Sequence, residues 1–310
     1  MATPPRSDKA GRWVPPPSGE GKTLSIPVCY DGSPMTWQLR VGAVQMCSTA
    51  DLQANLAVCR DRIAQAAGEG ARLVVLPECF SFLGRSERDK LAVAERLEAP
   101  GPILTALSEL AAKHAVWLVG GGTPEVVEGD DRRTYNTAVV IDPSGALVAR
   151  YRKIHLFDVD IPGGATLRES DATHAGDELV VVDIEGARVG LSICYDVRFP
   201  ELYRRLVLDR GADVLLVPAA FTAHTGAAHW ELLLRARAVE DQAWVVAAAQ
   251  WGRHNDKRES YGHTLVIDPW GTIAAERPEG DGVVVTTLEG AAVEKRRTQM
   301  PCLDHAVLWK

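Results

Sequence analysis

The 310-residue chain has no apolar run near the roughly 18 consecutive residues of a membrane-spanning helix, so no span is expected. It also lacks a basic field: 34 Lys and Arg stand against 41 Asp and Glu, a formal net charge of -7. Neither a nucleic acid nor an anionic membrane is expected as a partner, since both bind a positive surface. The six cysteines, at 29, 47, 59, 79, 194 and 302, form no CxxC pair and no framework spacing, which argues against a disulfide scaffold and a structural zinc site. No metal-ligand spacing and no cofactor motif appears. SGEGKT near residue 20 ends like a phosphate-binding loop, but Pro16 stands where its first glycine belongs. The opening MATPPRSDKAGRW has no apolar segment behind its charges, so no secretory signal is read there and the cytoplasm is the default location.

What is present is core-forming sequence: 46% of the residues are hydrophobic, enough for a large α/β domain. Residues 1–37, rich in Pro, Gly, Ser and charge, read as a loose extension. Leu39 to Met46 reads as a strand, Asp51 as the cap of a helix reaching Gly68, and Ala71 to Leu76 as a second strand, a βαβ unit. Helical periodicity returns over Pro102 to His114; a strand over Val116 to Val119 then runs into Gly120-Gly121-Gly122, read as a turn. Asn136 to Ile141 and Ala146 to Arg150 flank the turn DPSG as a hairpin. The long loop from Leu156 to Gly176 has no pattern of its own, and such loops are usually functional.

The second half repeats the first. Glu178 to Ile184 and Arg188 to Ile193 form a hairpin, a helix starts near Phe199, and Val214 to Pro218 is a strand. Ala227 to Gln242 is a helix whose stripe Trp230, Leu233, Leu234 and Val239 is assigned to the core, and Ala243 to Ala249 is a strand. A last hairpin, Tyr261 to Ile267 and Thr272 to Ala275, turns on DPWG. Two βαβ halves, each closing on a DPxG hairpin, imply one four-layer α-β-β-α domain over residues 38–290, with two sheets face to face and helices outside. Residues 291–310 carry Pro301, Leu303 and Trp309, odd on a free tail, and are expected to pack on a neighbouring subunit.

Cys194 falls where a buried strand ends, the place where open α/β sheets gather ligands. A free thiol has a pKa of about 8.5 and needs a base or a positive charge to act as a nucleophile. Glu78, after LVVLP, and Lys153, after RYR, stand at two other strand ends. A carboxylate can take the thiol proton and return it to a leaving amine, and an ammonium can stabilise an oxyanion, so the three would make an acyl-transfer site without histidine. A cysteine–histidine pair is the rival, with His155, His224, His229, His254 and His263 available. GLSIC partly matches a nucleophile elbow, but the last glycine is missing and Ser192 lies inside the strand.

LPECF at 76–80, YRKIHLFD at 151–158 and GLSICYDVRFPELYR at 190–204 resemble the Glu-Lys-Cys motifs of the nitrilase superfamily of carbon-nitrogen hydrolases. The likeness runs from about residue 39 to the end. DVDIPGG followed by RES, AHWELLLRARAVEDQ and AAQWGRHNDKRESYGHTLVIDPWG resemble the branch of deaminated glutathione amidase and omega-amidase. The resemblance implies an amidase for a small-molecule amide of an α-keto acid, working through a Cys194 thioester with release of ammonia, in a homodimer or larger homo-oligomer without cofactor. It implies Cys194 as nucleophile, Glu78 as general base, Lys153 with the backbone N–H of Tyr195 as oxyanion donors, and Glu169 beside the lysine. Arg198 and Thr225 match positions facing substrate, although Arg198 could instead pair with Glu201 or Asp196. A nitrile or N-carbamoyl amine substrate fits the same residues, and a silent interaction module is the non-enzymatic alternative.

Overall fold

The computed structural model describes residues 34–160 and 166–309. Residues 1–33 of the expected extension, and Pro162, Gly163 and Gly164 of the long loop, lie outside the described residues. The first half runs β1 (Gln38–Gln45), α1 (Leu52–Gly68), β2 (Leu73–Val75), α2 (Pro102–His114), β3 (Trp117–Val127), β4 (Asp130–Ile141) and β5 (Leu147–Arg152). Three short strands follow: β6 (Asp158–Asp160), β7 (Thr166–Arg168) and β8 (Thr173–His174). Next come β9 (Val181–Ile184), β10 (Ala187–Leu191), α3 (Pro200–Leu208), β11 (Val214–Leu216), α4 (Ala223–Asp241) and β12 (Trp244–Ala247). The second half ends with β13 (Trp251–Arg253), β14 (Glu259–Tyr261), β15 (Thr264–Ile267) and β16 (Ile273–Arg277), before β17 (Gly282–Glu289) and α5 (Gly290–Gln299).

The repeat is visible in both sheets. One has the order β17-β1-β2-β3-β4-β5, with β8 beside β4, and the other β9-β10-β11-β12-β15-β16. In each, three parallel strands are flanked by antiparallel ones. The two DPxG turns are built alike: Asp142 Oδ1 accepts from the N–H groups of Ser144 and Ala146 (2.8 and 3.0 Å), and Asp268 Oδ1 from those of Trp270 and Thr272 (2.8 and 2.9 Å). Gly145 and Gly271 take the same left-handed conformation, φ +88° and +85°.

Side chains alternate across the first sheet as a two-residue period requires. Leu39, Val41, Ala43, Leu73, Val75, Ala138 and Val140 face a core shared with Val189, Leu191, Val214 and Leu216 of the second sheet. Val44, Val74, Leu118, Val139 and Ile141 face the other way, onto Cys59, Ile63, Leu104 and Leu107 of α1 and α2. On the far side α4 packs on β12 and β15, with Trp230 and Leu234 buried. Four layers result.

Helix starts follow their local chemistry. Asp51 accepts from Ala54 N–H at 3.0 Å, capping α1. Gly101 has no side chain to cap α2, so the buried Glu95 carboxylate reaches its first turn, accepting from Ile103 N–H at 2.6 Å and Leu104 N–H at 3.0 Å.

Four readings of the sequence are corrected. The Gly120–Gly122 triplet is part of β3, not a turn: a Cβ on Gly121 would stand 2.1 Å from Leu76 O and 2.3 Å from Pro218 Cβ, so glycine serves close packing there. Val239 is not in the core but 50% exposed, on the outer face of α4. Among its described residues the Leu156–Gly176 loop contains β6, β7, β8 and a 3₁₀ turn at Glu169–Asp171. Residues 282–299, left without structure, form β17 and α5. Val293 of α5 is buried and Arg297 pairs with Asp213 at 2.9 Å, so this part of the terminal segment docks on its own chain, while Val307 and Leu308 stand exposed.

Asp241, at the C-terminal end of α4, is buried with neither oxygen hydrogen-bonded, although Arg204 Nε lies 3.2 Å from Oδ1. Burial pushes its carboxyl up from 3.8 to about 7 against the partial offset of Arg204. A folded-state value above the unfolded one means that this group's contribution is whole below pH 3.8 and is lost as pH rises through about 7. Asp241→Asn is therefore expected to raise the melting temperature by a few degrees at pH 8 and by less at pH 5, measured by calorimetry at both; equal shifts would remove the titration from the account.

Candidate active site

Three strand ends converge. Glu78 follows β2 past Leu76 and Pro77, Lys153 follows β5 directly, and Cys194 opens a 3₁₀ turn, Cys194–Arg198, just beyond β10. The Cys194 backbone is left-handed, φ +49°, unusual for a residue with a side chain. It is held there by its N–H donating to Pro218 O at 2.9 Å, and by Ile193 N–H donating to Asp196 Oδ2 at 2.8 Å.

The Lys153 ammonium is 2% exposed. It donates to Glu78 Oε1 at 2.9 Å and to Glu169 Oε1 and Oε2 at 3.1 and 2.9 Å. Glu78 Oε2 accepts from Ala220 N–H at 2.9 Å, and Glu169 Oε2 from Phe157 N–H at 2.7 Å. Asn136, which the sequence did not single out, bridges the two carboxylates: its Nδ2 donates to Glu78 at 2.9 Å and to Glu169 at 3.4 Å. Nothing distinguishes one asparagine in a strand until the fold sets it opposite Glu78. Gly122 makes room, since a Cβ there would lie 2.6 Å from Asn136 Oδ1 and 3.3 Å from Glu78 Cγ.

These groups fix one another's charge. Burial alone would raise Glu78, but the Lys153 ammonium and hydrogen bonds from Lys153, Cys194 and Ala220 hold its carboxyl below the usual value. Burial opposes charge on Lys153, yet Glu169, Glu78 and Cys194 push it well above the ordinary range. Burial and the Glu78 charge push the Cys194 thiol well up, with Lys153 opposing. The resting pair is thus a protonated thiol hydrogen-bonded to a carboxylate, an arrangement able to pass a proton as sulfur attacks a carbonyl.

Asp196, wholly buried, ties the cysteine turn to the lysine segment. It accepts from Tyr151 OH at 2.7 Å and from His155 N–H at 3.1 Å, besides Ile193 N–H, and lies 2.7 Å from His155 Nδ1. His155 stacks on Phe199, ring centroids 3.7 Å apart. The histidine that follows the lysine therefore orients the turn. His254, which does line the cavity, is occupied by Ser48 O and Ser260 Oγ, each at 2.8 Å.

Glu78, Lys153, Glu169 and Cys194 all line one cavity of about 410 Å³, within the range of small-molecule sites. Tyr195, Arg198 and Thr225 are not among its lining residues. The Tyr195 ring meets Phe157 and Phe199 edge-on, at 4.9 and 5.3 Å. Arg198 pairs with neither Glu201 nor Asp196 among the described contacts; its guanidinium lies over Phe221 and Tyr195, 5.0 and 5.8 Å from the ring centres, with Nη1 3.4 Å from His229 Nδ1. The Thr225 hydroxyl is 2.7 Å from that of Thr222, the cap of α4, and it is Thr222, Ala223 and His224 that reach the cavity.

The carbon-nitrogen hydrolase profile matches residues 40–298. The chain belongs to the carbon-nitrogen hydrolase family. This hydrolase is 43% identical over 279 residues to mouse deaminated glutathione amidase, covering 88% of this chain and 85% of the mouse protein. It is 45% identical over 272 residues to deaminated glutathione amidase of Synechocystis, covering 86% and 97%. Among solved structures the C. elegans NitFhit protein superposes with a TM-score of 0.81 at 42% identity, over 87% of this chain and 65% of that one. This carbon-nitrogen hydrolase is an enzyme for carbon-nitrogen bonds other than peptide bonds, an amidase of the nitrilase superfamily. Among the described residues no group of three or more His, Cys, Asp or Glu is placed to hold a metal ion.

Asn136→Asp would place a third carboxylate beside Glu78 and Glu169 with one ammonium between them. Turnover is expected to fall by about 100-fold or more, against about 10-fold for Asn136→Ala, which deletes hydrogen bonds worth about 1–3 kcal/mol. Steady-state kinetics of both variants check this ordering, and equal losses would contradict it.

Proposed function

We propose that this amidase hydrolyses the amide of an α-keto acid, deaminated glutathione being the substrate its relatives are named for, by acyl transfer through Cys194. The supporting observation is the Glu78–Lys153–Glu169 cluster hydrogen-bonded to the thiol of a cysteine in a left-handed turn. As sulfur attacks, the proton passes to Glu78 and negative charge moves to the carbonyl oxygen. Glu78, Glu169 and Lys153 sum to -1 at rest, and neutral Glu78, Glu169, Lys153 and an oxyanion sum to the same -1. The buried cluster exchanges one anion for another without a change of net charge, and protonation of Glu78 frees the ammonium to face the new one.

Lys153 and the N–H of Tyr195 act as oxyanion donors, and Glu169 keeps Lys153 charged and aimed. Glu78 then returns its proton to the leaving nitrogen, releasing ammonia from a primary amide or an amine from a substituted one. Water activated by the same carboxylate hydrolyses the thioester and restores the thiol. Arg198 and Thr225 act through the groups they touch: Arg198 braces Tyr195, and Thr225 braces Thr222 at the start of α4. The five described cysteines are all free, which suits a reducing cytoplasm, and the exposed Leu232 and Val239 on α4 suit a contact between copies of the chain.

Purified protein is expected to hydrolyse deaminated glutathione and to sediment as more than one subunit. Cys194→Ala is expected to lower turnover ~10³-fold or more without loss of fold. Equal activity in the wild type and Cys194→Ala would overturn the acyl-transfer reading.

A further inference from the structure

A second charged cluster lines the same cavity. Glu87 and Lys90 come from the 3₁₀ helix Glu87–Val93, fixed at its start by Ser86, whose N–H and hydroxyl donate to Asp89 at 3.0 and 2.6 Å. Arg258 comes from the segment between β13 and β14. Arg258 Nη2 donates to Glu87 Oε1 at 2.5 Å, and Lys90 Nζ to Glu87 Oε2 at 2.9 Å and to Thr173 Oγ1 at 2.6 Å. One carboxylate thus serves two cations. The three side chains are 18–25% exposed, so they are largely shielded from water yet open to the cavity.

Charge within the cavity is segregated. Glu78, Glu169 and Lys153 carry -1 around the thiol, whereas Glu87, Lys90 and Arg258 carry +1; Lys257 and Glu259, which also line the cavity, cancel. No hydrogen bond joins the two clusters among those described. Burial would raise the Glu87 carboxyl, but Lys90 and Arg258 hold it at about 2, so the surplus positive charge persists at every working pH. The two clusters are neighbours in one cavity, Lys90 reaching Thr173 close to the Glu169 turn, so the carboxylate of an anionic amide entering it is repelled by Glu78 and Glu169 and drawn to Lys90 and Arg258.

We propose that Lys90 and Arg258 form the subsite that takes a carboxylate of the substrate, selecting acidic amides over neutral ones. The proposal deepens the amidase reading and rests on it. Arg258 presents a planar donor fork, of which one nitrogen is spent on Glu87, and Lys90 adds a point charge; together they suit a carboxylate better than a neutral amide or hydroxyl.

The test is calorimetric binding to Cys194→Ala protein, which binds without turnover. Its ligands are deaminated glutathione and two analogues, each with one terminal carboxylate replaced by a carboxamide. One replacement is expected to weaken binding tenfold or more. That penalty is expected to fall to less than threefold in Cys194→Ala/Arg258→Gln and Cys194→Ala/Lys90→Met, and to persist in part in Cys194→Ala/Arg258→Lys, which keeps the charge and controls for folding. Penalties unchanged by the Arg258 and Lys90 variants overturn the subsite, as does failure of deaminated glutathione to bind at all. Failure of the amidase reading shows separately, as binding without turnover of any amide by the wild type.

Discussion

One buried ammonium lies between two buried carboxylates, and the rest of the active end of the molecule is arranged around that contact. Taking a charge out of water costs several kcal/mol, so Lys153 is stable in place only because Glu78 and Glu169 meet it at 2.9 Å and each carboxylate has further donors. Ala220 and Phe157 give backbone N–H groups, and Asn136 gives its amide to both. The thiol is the last member, and its proton is held by burial and by the charge on Glu78. Removing any one group leaves another buried charge short of a partner, so the cluster forms as a unit.

The doubled architecture explains how groups so far apart in sequence meet. Each half supplies a sheet whose parallel strands end at the same edge, and packing the sheets face to face brings the two edges together. Glu78 arrives from the first half, Cys194 from the second, and Lys153 from the strand that ends the first half's hairpin. Gln250 stitches the edges: its Nε2 donates to Ser48 Oγ at 2.7 Å and to Glu78 O at 3.0 Å, and its Oε1 accepts from Ser48 N–H. The cavity's charge pattern follows from the same meeting, since the 3₁₀ helix after β2 and the segment before β14 carry the opposing cations.

Sequence made Glu78, Lys153 and Cys194 legible because each stands where an apolar strand ends, and Glu169 only through the resemblance of its RES to a family motif; the structure lines one cavity with all four. Sequence also made the repeat legible, through two identical turn signals. Asn136 and Asp196 were opaque because their importance lies in partners 58 and 45 residues away, and one polar residue carries no period. The cationic cluster was hidden for the same reason, Glu87 and Arg258 standing 171 positions apart. The glycine triplet misled because close packing and turning demand the same residue. By contrast, GVVVTTLE had the β-branched content of a strand, and the reading of β17 was there to be made.

The central claim is that Glu78 and Lys153 set the state of the Cys194 thiol by charge. Its most direct measurement is the pH dependence of iodoacetamide alkylation, followed by mass spectrometry on the peptide carrying Cys194. Burial and the Glu78 charge push the thiol up, and Lys153 pulls it down. Glu78→Gln is therefore expected to move the alkylation midpoint to lower pH, and Lys153→Met to higher pH, in each case relative to wild type. A midpoint that stays put in both variants, or that moves upward in Glu78→Gln, would contradict the account.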